Sequence, residues 1–514
     1  MTDASLPALI QQMMQPGFYP HPVKEPIALI QTHVSYVLLT GDYVYKLKKQ
    51  VNFGFLNYST LELRQHFCHE EIRLNRRTAR DLYLEVLPIT QEGEQYQLDG
   101  TGEAVEYTLK MLQFPQESLL SNLFEQGQLQ EKDIEELARI VAKFHAEAKT
   151  DEYISKFGEV PQVRAAFDEN YQQSEKYIGI AQTQVQFDET QKFTDAFFAE
   201  KQDLLNIRIT NNFIRECHGD LHLRNICRWQ DQIVLFDCIE FNEPFRFADV
   251  MYDVAFAVMD LDARGRKDLG NVFLNTYIEQ TGDWEGLQVL PLYLSRQAYV
   301  RAKVTSFLLD DPAIPQADKD AAAKTAAEYY KLAWEYTQPK QGRLVLMSGL
   351  SGAGKSTVAR QVARLTEGVH IRSDAVRKHL GGIRLEEKGG SDLYTAEMTQ
   401  KTYGRLLELG VKLASQGFTV ILDAKYDRES LRKDAITLAQ SQQVPLQIIY
   451  CTAPEEVLRD RLNKRTGDIA DATADLLTSQ QAATEAFNEE EKGYVRTLDT
   501  TTDWQGKLQQ LLVG

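Results

Sequence analysis

Apolar and aromatic positions fall in short alternating runs in the first quarter of the chain and in longer, helix-spaced runs after it. Ser35-Tyr-Val-Leu-Leu-Thr40, the turn pair Gly41-Asp42 and Tyr43-Val-Tyr-Lys-Leu-Lys48 together predict a β-hairpin. A helix is expected from Ser59, because Ser59 and Glu62 have capping-box spacing. Asp81 to Ile89 and Glu106 to Met111 read as two further strands, and from Glu131 onward the pattern is mostly helical. Ala317 to Tyr336 reads as an alanine-rich helix that Pro339 cannot continue. Arg343 to Ser348 then reads as a short buried strand, the start of a fresh α/β unit. The expected division is a first domain over 1–338, with lobes of about 1–114 and 115–338, and a second over 339–514.

Composition narrows the class. With 514 residues, 43% hydrophobic and 25% charged, the chain is long enough for several folded domains and too apolar for wholesale disorder. Its 57 basic and 74 acidic residues give a net charge of −17, which opposes non-specific attraction to nucleic acid or an anionic membrane. No apolar run reaches the roughly 18 residues of a membrane span, and the start has no signal-like apolar stretch, so a cytoplasmic protein without a membrane partner is expected. The five cysteines are scattered without a C-x-x-C pair and read as buried free thiols. His66, Cys68 and His69 lack the second ligand cluster that a zinc site needs.

Two constellations carry chemistry. The first is His218-Gly-Asp-Leu-His-Leu-Arg-Asn225, an H-x-D-L-x-x-x-N pattern, followed by the expected strand Ile233 to Asp237. Phosphoryl transfer needs a carboxylate to take the acceptor's proton and oxygen ligands to hold Mg²⁺ on the nucleotide phosphates. Asp220 would be the base, Asn225 and Asp237 the metal ligands, and His218 a brace for the loop. Upstream, Lys46 stands where a phosphate-gripping lysine is expected. Glu71, on the inward helix face with Phe67 and Leu74, is its expected partner.

Residues 30 to 335 resemble the aminoglycoside phosphotransferase and choline kinase group, relatives of the protein kinases with the same two-lobed fold. Phe247-Ala-Asp249-Val-Met-Tyr-Asp253-Val-Ala resembles that group's helix start after the metal aspartate, and the resemblance implies that Asp249 steadies the catalytic loop. Two departures stand out: only Gly41 lies in the nucleotide-covering loop, and Asp237-Cys-Ile replaces D-F-G. Asp260 and Asp262 read either as a lure for a cationic acceptor or as a solvated face.

The second constellation is a complete G-x-x-x-x-G-K-S: Gly349, Leu350, Ser351, Gly352, Ala353, Gly354, Lys355 and Ser356, followed by Thr357. Between a strand and a helix, such a loop turns backbone N–H groups and a helix N-terminus toward phosphate. Lys355 would reach the β- and γ-phosphates, and Ser356 would hold Mg²⁺. Asp374 is a candidate acceptor base, Arg372 and Arg377 would pair with acceptor or γ-phosphate, and Asp423 ends an apolar strand suited to Mg²⁺. Arg461 and Arg465 have the spacing of lid arginines.

Residues 343 to 510 resemble the small P-loop kinases, a group that includes gluconate kinase, polynucleotide 5′-kinase and the zeta toxins. Ser373 to Arg377 and the Arg461/Arg465 pair carry that resemblance. The order of the two halves resembles fused bacterial proteins that join a phosphotransferase-like half to a P-loop kinase half. The fold class expected is an α+β two-lobed kinase-like domain followed by an α/β P-loop domain with a parallel sheet. The function expected is a bifunctional phosphotransferase using ATP and Mg²⁺ on small-molecule hydroxyl acceptors. One alternative is a nucleic-acid end kinase drawing on local basicity at Arg384 to Lys388; another is a regulatory P-loop switch fused to a pseudokinase.

Overall fold

The computed structural model describes residues 6–464, 469–470 and 473–513. Its contacts divide the chain into two units, Met1–Asp168 with Phe198–Asp260, and Glu169–Phe197 with Leu261–Gly514. Among the described residues no helix is long and apolar enough to cross a membrane.

The first unit holds a six-stranded antiparallel sheet of β1 (Ala28–Gln31), β2 (Ser35–Leu39), β3 (Tyr43–Lys48), β4 (Tyr83–Glu92), β5 (Gln95–Leu98) and β6 (Ala104–Leu112), in the order β1-β2-β3-β6-β4-β5. β2 and β3 form the expected hairpin, with Leu39 opposite Val44 and Gly41 in a left-handed conformation at the turn. Alternation sends Tyr45 and Leu47 into one core with Ile10, Met13 and Leu38, and Val44 into another with Tyr83, Leu109 and Met111. Lys46 and Lys48 therefore share the Val44 side of the strand.

Helix α1 (Leu61–Asn75) packs against β4 and β6. Its cap is Thr60, whose side chain accepts from Leu63 N–H, one residue beyond the expected Ser59. Helix α2 (Glu131–Glu147) starts with a capping box between Gln130 and Asp133. Strands β7 (Ile214–Glu216), β8 (Ile226–Trp229), β9 (Gln232–Leu235) and β10 (Phe247–Asp249) form two short antiparallel pairs, β7 with β10 and β8 with β9. Gln230 and Asp231, both left-handed, make the tight turn between β8 and β9. Helix α3 (Val250–Ala263) begins directly after β10.

The second unit contains a parallel sheet of β11 (Arg343–Ser348), β12 (Val369–Arg372), β13 (Thr419–Asp423), β14 (Leu446–Thr452) and β15 (Val495–Asp499), in the order β12-β13-β11-β14-β15. Apart from its first residue β11 is buried throughout, as a central parallel strand covered on both faces must be. Helices α5 (Lys355–Thr366), α6 (Ser373–Leu380), α7 (Ala396–Ala414) and α8 (Glu455–Lys464) belong to the same unit. So does α4 (Lys267–Thr281), which precedes the sequence boundary near residue 338 and packs on α5 and β12. Local breakers such as Pro339 mark where one element stops; they carry no information about which surfaces later pack together.

The fold class is thus an antiparallel sheet with helices in the first part of the chain and a parallel α/β P-loop architecture in the last. All five cysteines are buried and free.

Candidate active sites

In the first unit the central strand, α1 and the segment after β9 bring charges together. Lys46 Nζ donates to Glu71 Oε1 and to Asp237 Oδ1, both at 2.7 Å. Glu71 takes a second lysine: Lys48 donates to its Oε2 at 2.7 Å and also pairs with Glu240, which accepts from Tyr58 Oη. Burial acts against the charge on Glu71, yet Lys46 and Lys48 hold its pKa below the usual carboxylate range. For Lys46 burial likewise opposes the charge, and Asp237 and Glu71 overcome it and hold the pKa well above the usual lysine value. Lys48 and Glu240 were missed by sequence reasoning. The signal for Lys48 was present, since residues two apart on a strand face the same way.

Asp237 has a left-handed backbone at φ 61°, and its N–H donates to Tyr83 Oη. Asn225 uses its amide N–H groups on Asp220, at 3.0 Å to the carbonyl and 2.9 Å to Oδ2, so its side-chain oxygen is the atom left to meet a cation. His218 braces the loop through Nε2 to the Phe236 carbonyl at 2.9 Å, and its Nδ1 accepts from Asp220 N–H at 3.3 Å.

Two expectations are corrected here. Asp249 does not hold this loop; it forms a buried two-point pair with Arg208, at 2.5 and 2.7 Å, and accepts from Met251 N–H. The loop is held by Asp253, buried on the first turn of α3, and by Asp260, whose Oδ2 accepts from Leu223 N–H at 3.0 Å. Asp260 is accordingly buried rather than solvated. Asp262 is not a solvated charge either: burial raises its pKa to about 6, and it accepts from Tyr336 Oη at 2.7 Å.

In the second unit β11, β12 and β13 run parallel and end on one edge at Ser348, Arg372 and Asp423. The loop from Gly349 to Gly354 leaves that edge and enters α5. Gly349, Gly352 and Gly354 all have positive φ; a Cβ on Gly349 would lie 2.3 Å from the Cys451 carbonyl, and one on Gly352 would lie 2.8 Å from that of Leu458. Only glycine fits there. Lys355 Nζ donates to Leu350 O at 2.9 Å, and burial lowers its pKa. Ser351 N–H donates to Gln480 Oε1 at 3.2 Å, and the Ala353 carbonyl accepts from Thr500 Oγ1 at 3.0 Å, which fixes the loop from outside.

A cavity of about 1380 Å³ opens over this loop. Lys355, Ser356, Thr357, Asp374, Arg377 and Asp423 all line it. Burial opposes the charge on Asp423, but His370, whose Nε2 lies 3.0 Å from Oδ2, together with Arg372 and the Ser356 hydroxyl, holds its pKa well below the usual range. Ser356 and Asp423 offer adjoining hard oxygen donors, the ligand chemistry that Mg²⁺ requires.

Arg377 lies over the Tyr394 ring and donates to the Leu393 carbonyl at 2.7 Å. Arg372 is buried and turned toward Asp423, at 3.9 Å, and Glu279, at 3.7 Å. Arg461 also lines the cavity, donating to the Gly352 carbonyl at 3.3 Å and to Thr500 Oγ1 at 2.8 Å. It clasps the P-loop from the side. Arg465 lies outside the described residues.

The model of an AAA domain, AAA_33, matches residues 344–487. The uncharacterized protein Rv2004c of Mycobacterium tuberculosis is 31% identical over 468 residues, covering 90% of this chain and 91% of that protein. The same figures hold for the uncharacterized protein Mb2027c of Mycobacterium bovis. The chain belongs to the family of these mycobacterial proteins. The matched length is 90% of this chain and so extends into both units.

Among solved structures, a sugar kinase from Janibacter sp. HTCC2649 is 26% identical, covering 34% of this chain and 93% of that one with a TM-score of 0.26. A choline/ethanolamine kinase family protein from Mesorhizobium loti is 9% identical, covering 64% of this chain and 99% of that one with a TM-score of 0.38.

Proposed function

We propose that the P-loop cavity transfers the γ-phosphoryl group of ATP to a hydroxyl of a small-molecule acceptor, and that the first unit carries a second phosphotransferase site of kinase type. The observation that carries this reading is the placement of Asp374 in one cavity with Lys355 and Ser356. A nucleotide switch needs the P-loop, Mg²⁺ ligands and a group that orients water, but no acceptor. A kinase also needs a carboxylate within reach of an acceptor, in a space large enough for both substrates.

In the reaction proposed, Asp374 takes the proton of the acceptor hydroxyl as that oxygen bonds to the γ-phosphorus. The bond from the γ-phosphorus to the β,γ-bridging oxygen breaks, and that oxygen leaves with ADP. Lys355, held at the mouth of α5, faces the phosphates and offsets the charge spreading over their oxygens. Ser356 and Asp423 would hold Mg²⁺, which supplies charge neutralisation on the phosphates when bound. Arg377 would orient an anionic group at the acceptor end of the cavity.

For the first unit, Asp220 is the proposed base, Asn225 and Asp237 the Mg²⁺ ligands, and Lys46, fixed by Glu71, the phosphate grip. The acceptors proposed are small molecules rather than nucleic acid. The net charge is −17, and of the two exposed bases of the local segment, Arg384 and Lys388, the first is paired with Glu387 at 2.6 Å.

Asp374→Asn in the full chain tests the reading. It should leave ATP affinity nearly unchanged and remove the stimulation of ADP release by acceptor pools. Fast hydrolysis without acceptor that survives the substitution would favour the switch instead.

A further inference from the structure

Lys303 lies in the last turn of the helix Leu290–Ser306, half-buried beside the exposed side chains of Val304 and Phe307. Two neutral oxygens from the end of the helix Val160–Ser174 hold its Nζ, which donates to Asn170 Oδ1 and to Gln173 Oε1, each at 2.7 Å. Gln173 is turned that way by Glu169, whose Oε1 accepts from its Nε2 at 2.8 Å. The carboxylate of this segment thus meets the lysine through an amide. Among the described residues no acid forms an ion pair with Lys303.

This geometry suits an amine better than an ammonium. A neutral amine has two N–H groups and a lone pair; both N–H groups find an acceptor here, and the lone pair needs none. An ammonium has three N–H groups, and among the described residues only two acceptors meet them. Amide oxygens also lack the full negative charge that would keep a proton on a half-buried nitrogen. Burial accordingly lowers the Lys303 pKa to about 8; the charge of Glu169 opposes that shift and the charge of Arg296 adds to it. Two features favour the charged form: the Phe307 ring, its centroid 5.9 Å from Nζ, and the carbonyl end of the lysine's own helix. Neither supplies a full counter-charge.

We propose that Lys303 is a site of covalent acylation by acyl phosphates, reacting in preference to the exposed lysines of the chain. The Nζ lone pair forms a bond to the acyl carbon, and the bond from that carbon to the phosphate oxygen breaks. One amine proton leaves with the departing inorganic phosphate, so a neutral amide replaces the lysine. Near pH 7 about a tenth of such a lysine is free amine, against fewer than about one in a thousand for an ordinary one. A small donor is needed because the nitrogen is half-buried. Neither phosphotransferase site takes part.

The test incubates the full-length protein with acetyl phosphate and follows acetylation of each lysine by peptide mass spectrometry. Lys331 and Lys401, exposed and each paired with a glutamate, are the comparators. At about pH 7 Lys303 should react about tenfold faster than either, and its rate should level off above about pH 8 while theirs keeps climbing. Tenfold is less than the difference in free amine because, as with thiols, a weaker base is a weaker nucleophile. Asn170→Asp sets a carboxylate against the nitrogen, which should slow Lys303 to the rate of the comparators and leave theirs unchanged. Reaction at Lys303 no faster than at the comparators, a rate that climbs with pH as theirs does, or a rate unchanged by Asn170→Asp would each overturn the inference. Should Asn170→Asp fail to fold, Gln173→Glu, at an exposed position, is read by the same rule.

Discussion

Asp253 accepts the backbone N–H of His218 at 2.7 Å, and its other oxygen takes that of Gly219 at 2.9 Å. His145 lies 3.1 Å from the same carboxylate, so a fully buried acid organises the start of the loop that carries Asp220 and Asn225. Gly219 has to be glycine, since φ is 86° and a Cβ would lie 2.8 Å from the Phe245 carbonyl.

Removing that acid should therefore be costly. Asp253→Ala leaves two N–H groups and a histidine without their shared partner, a loss of about 3–5 kcal/mol by analogy with broken buried pairs. Denaturant unfolding measures it. A change within about 1 kcal/mol would show that water or a neighbour takes over the role of Asp253.

The two lysines that share Glu71 should separate by function. Lys48 is almost fully buried between Glu71 and Glu240, so Lys48→Met leaves Glu240 without its lysine and Glu71 with Lys46 alone, and should cost about 3–5 kcal/mol of stability. Lys46 is 18% exposed, and Lys46→Met should cost less stability while weakening nucleotide binding by the first unit. Paired unfolding and nucleotide titrations decide it; equal effects of the two on both readouts would contradict the assignment.

Asp262 gives a pH signature. Its pKa rises from an ordinary 3.8 to about 6 through burial, so the folded chain binds its proton more tightly than the unfolded chain does. Stability must then fall as pH rises through that interval and stay lower above it. Asp262→Asn keeps an acceptor for Tyr336 and removes the ionisation, so the melting temperature of the variant relative to the wild type should climb between about pH 4 and 6 and then level off. A difference that is flat with pH would show that Asp262 does not titrate in this range.

How much of this was legible in the sequence depends on what each signal reports. The hairpin at Gly41-Asp42, the strand from Arg343 to Ser348 and the P-loop are encoded within a dozen residues, by alternation, turn residues and a motif. The pairing of Glu71 with Lys46 followed from helical periodicity. The roles of Asp249 and Asp253 were not separable, because both lie within one turn of the start of α3 and the choice depends on where Arg208 sits. Strands β5 and β8 are four residues long and lack the unbroken apolar run that marked the equally short β9.

The most direct test of the central claim is transfer of the γ-phosphate of ATP into a metabolite extract by the full chain, with product masses read for the wild type, Lys355→Ala and Asp220→Asn. The account predicts a product heavier than its acceptor by one phosphoryl group. Lys355→Ala should reduce it about a thousandfold, the scale of charge-stabilising groups in phosphoryl transfer, whereas Asp220→Asn should spare it. ATP hydrolysis at the same rate with and without extract, and no phosphorylated product from the wild type, would contradict it.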